Sequence, residues 1–374
     1  LKVKPNIVLV LLDGARWDRL SRSDGFERLR RDGVLLNNVT TAAPYTIASM
    51  NATFSGLYGK DNGVDAYYKM FKLKPSAPFL PEILKTHGYF TACDLLTDVI
   101  VSSRGFDIHQ AHNEFEDDLT QKHPEFLRNA LRQANGKPIF AFLHFSRIHT
   151  VTVTGVVRKY EWNDKDFYSR KTENLQNYDK AFDEAVGYAH LIKRTVDELA
   201  GNPETLLVFF SDHGTGVGER FGERNYGVFT YEETIRAFYL FLGSKVVKNH
   251  VTDHLFATID ILPTILEFCG IADEGLELVG RSLYPYLVGE RPDFPGRDYA
   301  FSETGGLQGP FPSPNAPNVF CVKTAKYKLV YFQAPNEWKL FDLQQDPEES
   351  RDLYGTGLPI EVQLKQKLLN WMTR

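Results

Sequence analysis

The chain has 374 residues, 43% of them hydrophobic and 24% charged, with a formal net charge of -5. This is the profile of a folded globular protein with one large domain and a smaller companion. There is no Lys/Arg-rich run, which argues against nucleic acid or an anionic membrane as the main partner. The longest apolar runs are strand-sized, well short of the roughly 20 residues needed to cross a bilayer. Cys93, Cys269 and Cys321 are odd in number, widely spaced and flanked by apolar residues. That usage favours buried thiols in a reducing compartment, and so a cytoplasmic setting, over a disulfide framework. The chain opens on Leu1 and not on methionine, which leaves targeting unread.

In chain order, residues 7–12 form a continuous apolar run that delivers Asp13 and then Gly14. Such a run reads as a strand buried on both faces of a parallel sheet. Residues 26–31 read as helix, 34–39 as strand, 79–86 as helix, 89–93 as strand and 139–145 as another buried strand. Residues 175–199 place Tyr178, Phe182, Ala185, Ala189, Ile192, Val196 and Leu199 at helical spacing with charges opposite, a long surface helix. It leads into a second apolar run, residues 206–210, which ends in Ser211, Asp212, His213 and Gly214. Alternation of this kind predicts an α/β fold, a mostly parallel sheet sandwiched by helices, over residues 1–295. A Gly/Pro-rich loop at 305–317 breaks the rhythm. Short strands then follow at 318–323, 327–332 and 338–343, with a closing amphipathic helix at 361–371, so residues 296–374 read as a small α+β subdomain with an antiparallel sheet.

Ligands in open α/β sheets gather at the carboxyl ends of the strands. Asp13, Asp212 and His213 all arrive there, and two carboxylates with one imidazole suit one divalent ion, zinc or manganese ahead of calcium or magnesium. Between them Thr46 stands at a predicted helix start, after Pro44 and Tyr45. Position alone gives it the ordinary role of an N-cap. Next to a metal, a hydroxyl at a helix N-terminus becomes a nucleophile, because the helix dipole and the cation both stabilise its ionised form.

These segments, with residues 231–236 (Tyr-Glu-Glu-Thr-Ile-Arg), 260–266 (Asp-Ile-Leu-Pro-Thr-Ile-Leu), 280–283 (Gly-Arg-Ser-Leu), 339–343 (Lys-Leu-Phe-Asp-Leu) and Asp346-Pro347, occur in an order that resembles the alkaline phosphatase superfamily, in its sulfatase-like branch. The resemblance spans nearly the whole chain. It implies an alkaline-phosphatase-like core with a smaller C-terminal sheet, and one metal surrounded by Asp13, Thr46, Asp212 and His213. Departures shape the expected chemistry. Where sulfatases carry a Cys-x-Pro-x-Arg motif whose first residue is oxidised to formylglycine, this chain has Thr46, Ala48 and Met50, and threonine cannot form formylglycine. The Gly-Lys-Trp-His segment of sulfatases is absent, residues 95–99 standing in its place. Thr46 and Ser49 with Phe54-Ser55 are similar instead to a threonine-nucleophile branch of phosphodiesterases, phosphonate monoester hydrolases and phosphoethanolamine or phosphoglycerol transferases.

His149 matches the position where the resemblance implies an active-site imidazole, and its chemistry suits proton transfer near neutrality. His144 falls inside the 139–145 strand and reads as a core or supporting residue. Arg147, Arg220 and Arg224 are candidates for binding an oxyanion, although solvated ion pairs are their commoner role. Arg16 and Asp18 read as supporting groups. The Asp-x-x-x-His spacing of two-metal relatives is missing, and Asp183 and His190 lie about two helical turns apart, so a single metal is expected. The sequons at Asn38 and Asn51 crowd the nucleophile and read as chance. The expected function is therefore a metal-dependent phosphoric ester hydrolase working through phosphothreonine on a small-molecule or glycan-linked ester. Its rivals are a sulfatase acting on sulfate esters, a phosphoryl transferase, and a non-catalytic binding protein that keeps the fold.

Overall fold

The computed structural model describes residues 4–113, 115–149, 162–199 and 204–373. Among the described residues, nine strands form one sheet: β1 (Ile7–Leu12), β2 (Gly33–Thr40), β3 (Phe90–Leu95), β4 (Ile108–Ala111), β5 (Ile139–Phe145), β6 (Leu206–Phe210), β7 (Arg236–Leu242), β8 (His250–Thr252) and β9 (Phe256–Ala257). Their order is β4-β3-β5-β1-β6-β7-β2-β8, with β9 also beside β2. Only β7 runs antiparallel to its neighbours, β6 and β2. The expected mostly parallel sheet is what forms.

The apolar runs alternate between two cores, as a strand period of two requires. Ile7, Leu9 and Leu11 of β1 point to one face with Met50, Phe54, Phe140 and Phe142. Val8, Val10 and Leu12 point to the other, where Phe126, Leu127, Phe182 and Ile192 meet them. The helices Thr46–Ser55, Leu80–Thr86 and Ile261–Phe268 cover the first face, and Leu119–Ala134 and Lys171–Leu199 the second. Phe54 anchors the helix Thr46–Ser55 to the sheet, its ring edge-on to Phe142 with centroids 5.1 Å apart. That packing sets the height of Thr46 above the strand ends.

The second sheet is antiparallel and has four strands, one more than the sequence reading gave. They are β10 (Ala300–Thr304), β11 (Val319–Lys323), β12 (Tyr327–Phe332) and β13 (Glu337–Asp342), in that order across the sheet. The closing helix, Pro359–Met372, seats Trp371 flat on Phe301 at 4.8 Å. Tyr58, Ala42 and Ala52 of the large domain share this core. The three cysteines are free thiols and all are buried.

Candidate active site

Three adjacent strands bring the chemistry together. β1 lies between β5 and β6 in parallel register, so Asp13, His144 and the Asp212-His213 pair reach the same edge. The Asp13 amide donates to the Phe145 carbonyl at 3.0 Å, which ties the end of β1 to the end of β5. Gly14 then turns with φ +72, a conformation open to glycine, and a Cβ there would collide with the Thr215 hydroxyl. That hydroxyl donates to the Gly14 carbonyl at 2.9 Å, as does the Tyr178 hydroxyl. Arg16, buried, clamps the same two segments. Its guanidinium holds Asp18 at 2.9 Å, Glu219 at 2.6 Å and the Thr215 carbonyl at 3.1 Å. Arg16 and Asp18, read as supporting groups, thus fasten the loop after β1 to the loop after β6.

Thr46 is the first residue of its helix and not its cap. Tyr45 occupies the N-cap, and no side chain caps the turn, so the ordinary reading of Thr46 does not hold. Its hydroxyl instead lies 3.2 Å from His213 Nε2 and 3.5 Å from Asp13 Oδ1. Asp13, Asp212 and His213 offer ligand atoms that all lie within 4.8 Å of one another, and all three are fully buried. Asp212 Oδ1 accepts the amides of His213 and Gly14, at 2.9 and 3.4 Å. Its other oxygen, Oδ2, is buried without a hydrogen-bond partner among the described residues and sits 3.4 Å from His213 Nε2. Two buried carboxylates and one imidazole, with one oxygen of Asp212 left unpartnered beside His213, form a donor set that fits a divalent cation.

The electrostatics agree with that reading. Burial raises the Asp212 carboxyl, and the negative charge of Asp13 adds to the rise against the opposing pull of His213. For Asp13 burial also opposes ionisation, but the His144 hydrogen bond and the neighbouring imidazoles outweigh it and hold this carboxyl well below the usual range. His144 does this from inside β5. Its Nδ1 accepts the Leu96 amide at 3.3 Å, so Nε2 carries the proton and donates to Asp13 Oδ2 at 2.9 Å. The supporting role expected of His144 thus takes a definite form, leaving Asp13 Oδ1 to face Thr46. Ser49, one turn along the helix, donates to the Asp212 carbonyl at 2.9 Å and so locks the helix to the ligand loop.

His149 is half-buried, with Nε2 2.6 Å from the Tyr226 hydroxyl. The Tyr226 ring in turn lies against His213, centroids 4.5 Å apart. Tyr226 was not anticipated from sequence, because it stands in a Gly/Glu/Arg-rich loop where nothing local marks it out. The three arginines are engaged by carboxylates. Arg147 is exposed and pairs with Glu184 at 2.8 Å, and Arg224 pairs with Asp164 at 2.9 Å. Arg220 pairs with Glu233 at 2.8 Å, lies over the Tyr231 ring and donates to the Glu348 and Glu349 carbonyls. These contacts give Arg220 the work of joining the loop after β6 to the C-terminal subdomain.

A mostly parallel helix-covered sheet, a small antiparallel sheet behind it and a strand-end cluster of two Asp, one His and a hydroxyl make up an alkaline-phosphatase-like fold. The chain belongs to the sulfatase family. The model of that family, described as Sulfatase, matches residues 5–271, and a second, described as N-sulphoglucosamine sulphohydrolase, C-terminal, matches residues 223–374. The chain is 28% identical over 192 residues to a Delta 4,5-hexuronate-2-O-sulfatase of Bacteroides thetaiotaomicron, a stretch covering 48% of this chain and 38% of that protein. It thus spans well under two thirds of the length of this relative. A solved 2-O GAG sulfatase superposes with TM-score 0.78 at 20% identity, covering 100% of this chain and 92% of the other. The phosphonate monoester hydrolase of Agrobacterium radiobacter superposes with TM-score 0.78 at 17% identity, covering 99% and 96%. The preference for phosphoric esters expected from the sequence finds no support in these matches, whose names are mostly those of sulfatases.

Proposed function

We propose that this chain is a metal-dependent esterase that cleaves sulfate esters, with Thr46 as nucleophile and Asp13, Asp212 and His213 as the metal ligands. The observation that carries the reading is the Thr46 hydroxyl 3.2 Å from His213 Nε2, at the rim of a ligand cluster no wider than 4.8 Å. A divalent ion bound there supplies Lewis-acid polarisation of the ester oxygens and favours the ionised form of the neighbouring hydroxyl. The chain's own groups do the rest. Thr46, its proton passed to solvent, forms a bond from Oγ1 to sulfur in line with the leaving oxygen. The ester S–O bond breaks, and the departing oxygen takes its electron pair and a proton from His149. Hydrogen bonding to Tyr226 orients His149 for that donation. Water then attacks the sulfur of the Thr46 sulfate ester and gives a proton to His149, while the S–Oγ1 bond breaks, sulfate leaves, and Thr46 Oγ1 keeps the electron pair and takes a proton back from solvent.

A phosphoric ester is the second reading. Thr46 in place of an oxidisable Cys or Ser favours it, as does the likeness to a phosphonate monoester hydrolase. One experiment separates the two. Purified protein loaded with Mn²⁺ or Zn²⁺ is offered p-nitrophenyl sulfate and p-nitrophenyl phosphate, and the intermediate is trapped by acid quench. High-resolution mass spectrometry then distinguishes sulfate from phosphate on the peptide containing Thr46. A higher kcat/KM for the sulfate ester, with sulfate on Thr46, is expected, together with a loss of on the order of 10³-fold in kcat for Thr46→Ala. Faster turnover of the phosphate ester with phosphate trapped on Thr46 would establish the second reading. Undiminished turnover by Thr46→Ala would remove the covalent route from both.

A further inference from the structure

Behind the proposed active site, at the ends of β3 and β4, lies a group that the site does not use. Asp94 comes from β3, His112 follows β4 directly, and His123 projects from the helix Leu119–Ala134. All three side chains are buried, and each offers a ligand atom within 4.8 Å of the others. His112 Nδ1 lies 2.6 Å and His123 Nε2 3.9 Å from the same Asp94 oxygen. The other Asp94 oxygen accepts from Gln110 at 2.6 Å. Among the described residues, the two imidazoles are the ion-pair partners of this carboxylate.

His123 decides what the group is for. Its Nδ1 is engaged by the Tyr188 hydroxyl at 2.5 Å, whereas Nε2 is buried without a hydrogen-bond partner among the described residues. If Nδ1 donates to Tyr188, the Nε2 lone pair faces the carboxylate. If Tyr188 donates, an Nε2 proton points at an oxygen 3.9 Å away, too far for a hydrogen bond. In either tautomer the buried network is incomplete, and a cation between the three groups completes it.

We propose that Asp94, His112 and His123 form a second, buried binding site for a divalent transition ion, distinct from the cluster around Thr46. Two imidazoles and a carboxylate are a donor set of the zinc and manganese type. The outer ring nitrogens are already held, His123 Nδ1 by Tyr188 and His112 Nε2 by Ser146 at 3.4 Å. That is how ligating imidazoles are oriented. Tetrahedral bonds of about 2.0–2.1 Å set ligand atoms about 3.4 Å apart. The spacings of 2.6 and 3.9 Å bracket that value, so sub-ångström side-chain movements seat the ion. The His112 ring centroid is 6.3 Å from that of His144. An ion here therefore pins β3, β4 and the helix Leu119–Ala134 against the residue that orients Asp13.

The site is tested apart from the proposed catalytic one, and apart from any substrate. In an Asp212→Asn variant of the full chain, which cripples the first cluster, Co²⁺ is titrated and its visible d–d spectrum recorded. One equivalent with the intense bands of low-coordinate nitrogen and oxygen ligation is expected, accompanied by a rise in Tm. Adding His123→Gln, and in a separate protein His112→Gln, should abolish the bands while the far-ultraviolet circular dichroism is preserved. Absence of bound Co²⁺ in the Asp212→Asn protein overturns the proposal. So do bands that persist when either histidine is replaced. Should one histidine variant fail to fold, the other carries the same comparison.

Discussion

At the scale of single residues, the site depends on side chains that never reach the reacting atoms. His144 is one, since its proton fixes which oxygen of Asp13 faces Thr46. Groups that orient a metal ligand in this way are worth about 10–100-fold in metal affinity. His144→Gln is therefore expected to weaken Mn²⁺ or Zn²⁺ binding by about that factor, measured calorimetrically, with the Tm of the metal-free protein little changed. A purely structural histidine would give the opposite pattern, a lower metal-free Tm with unaltered affinity. The sequence shows Asp13, Asp212 and His213 plainly, because an apolar strand that stops at a polar residue marks a sheet edge. It cannot show that His144 faces Asp13. That contact arises from the parallel register in which Leu11 sits opposite His144, and register between strands more than a hundred residues apart leaves no local trace.

At the scale of elements, the loop from Gly214 to Tyr226 carries a buried acid whose function is to shape the chain. Glu223 Oε1 accepts the amides of Val228 and Phe229 at 3.0 and 2.8 Å, while Oε2 has no hydrogen-bond partner among the described residues. Burial, with a smaller contribution from the charge of Glu233, raises this carboxyl from 4.5 to about 8. The folded state therefore holds a proton that the unfolded chain releases. The resulting stability is fully present below pH 4.5 and is lost as pH rises through about 8. Glu223→Gln keeps the amide acceptor and removes the titration. Between pH 5 and 9 the wild type should lose on the order of 4 kcal/mol relative to this variant, measured by urea denaturation at a series of pH values. Parallel pH profiles would mean that Glu223 is ionised in the folded protein. From sequence, Arg224 is a candidate for an oxyanion whose commoner role is a solvated ion pair, and nothing marks Glu223 as buried. The structure gives Arg224 to Asp164 and turns Glu223 inward. Elements with strong periodicity were legible, among them β1, β5 and the long helix Lys171–Leu199. Strand β10 and the helix Leu119–Ala134 were missed. β10 reads Ala-Phe-Ser-Glu-Thr and carries no clean apolar pattern, whereas the helix places Leu119, Phe126, Leu127, Ala130 and Ala134 at helical spacing but has Pro124 inside it, a residue that ordinarily ends a helix.

At the scale of the whole molecule, the two sheets are joined by buried charge. Glu232, in the short helix before β7, places its carboxylate 2.7 Å from Lys323 and 3.3 Å from Lys328, both on the C-terminal sheet. Lys328 also reaches Glu349 at 2.6 Å, and Glu349 accepts the Glu232 amide at 2.7 Å. Two lysines and two glutamates, all buried, meet where the sheets dock, and burial there pushes the Glu349 carboxyl up to about 7. Burial works against the Glu232 charge, but the two lysines prevail and bring its pKa down to about 2. Burial drives Lys323 the other way, down to about 8, so its charge depends on the carboxylate beside it. Removing one member of such a group strands the others, at a cost of about 3–5 kcal/mol. Glu232→Gln is expected to lower stability by that amount at pH 7 and still unfold in one transition, because the core around Tyr58, Phe301 and Trp371 continues to couple the sheets. Near-ultraviolet circular dichroism and the fluorescence of Trp371 and Trp338 should lose signal at the same urea concentration. Two separated midpoints would show that the charge network, and not the shared apolar core, makes the large and small sheets one folding unit.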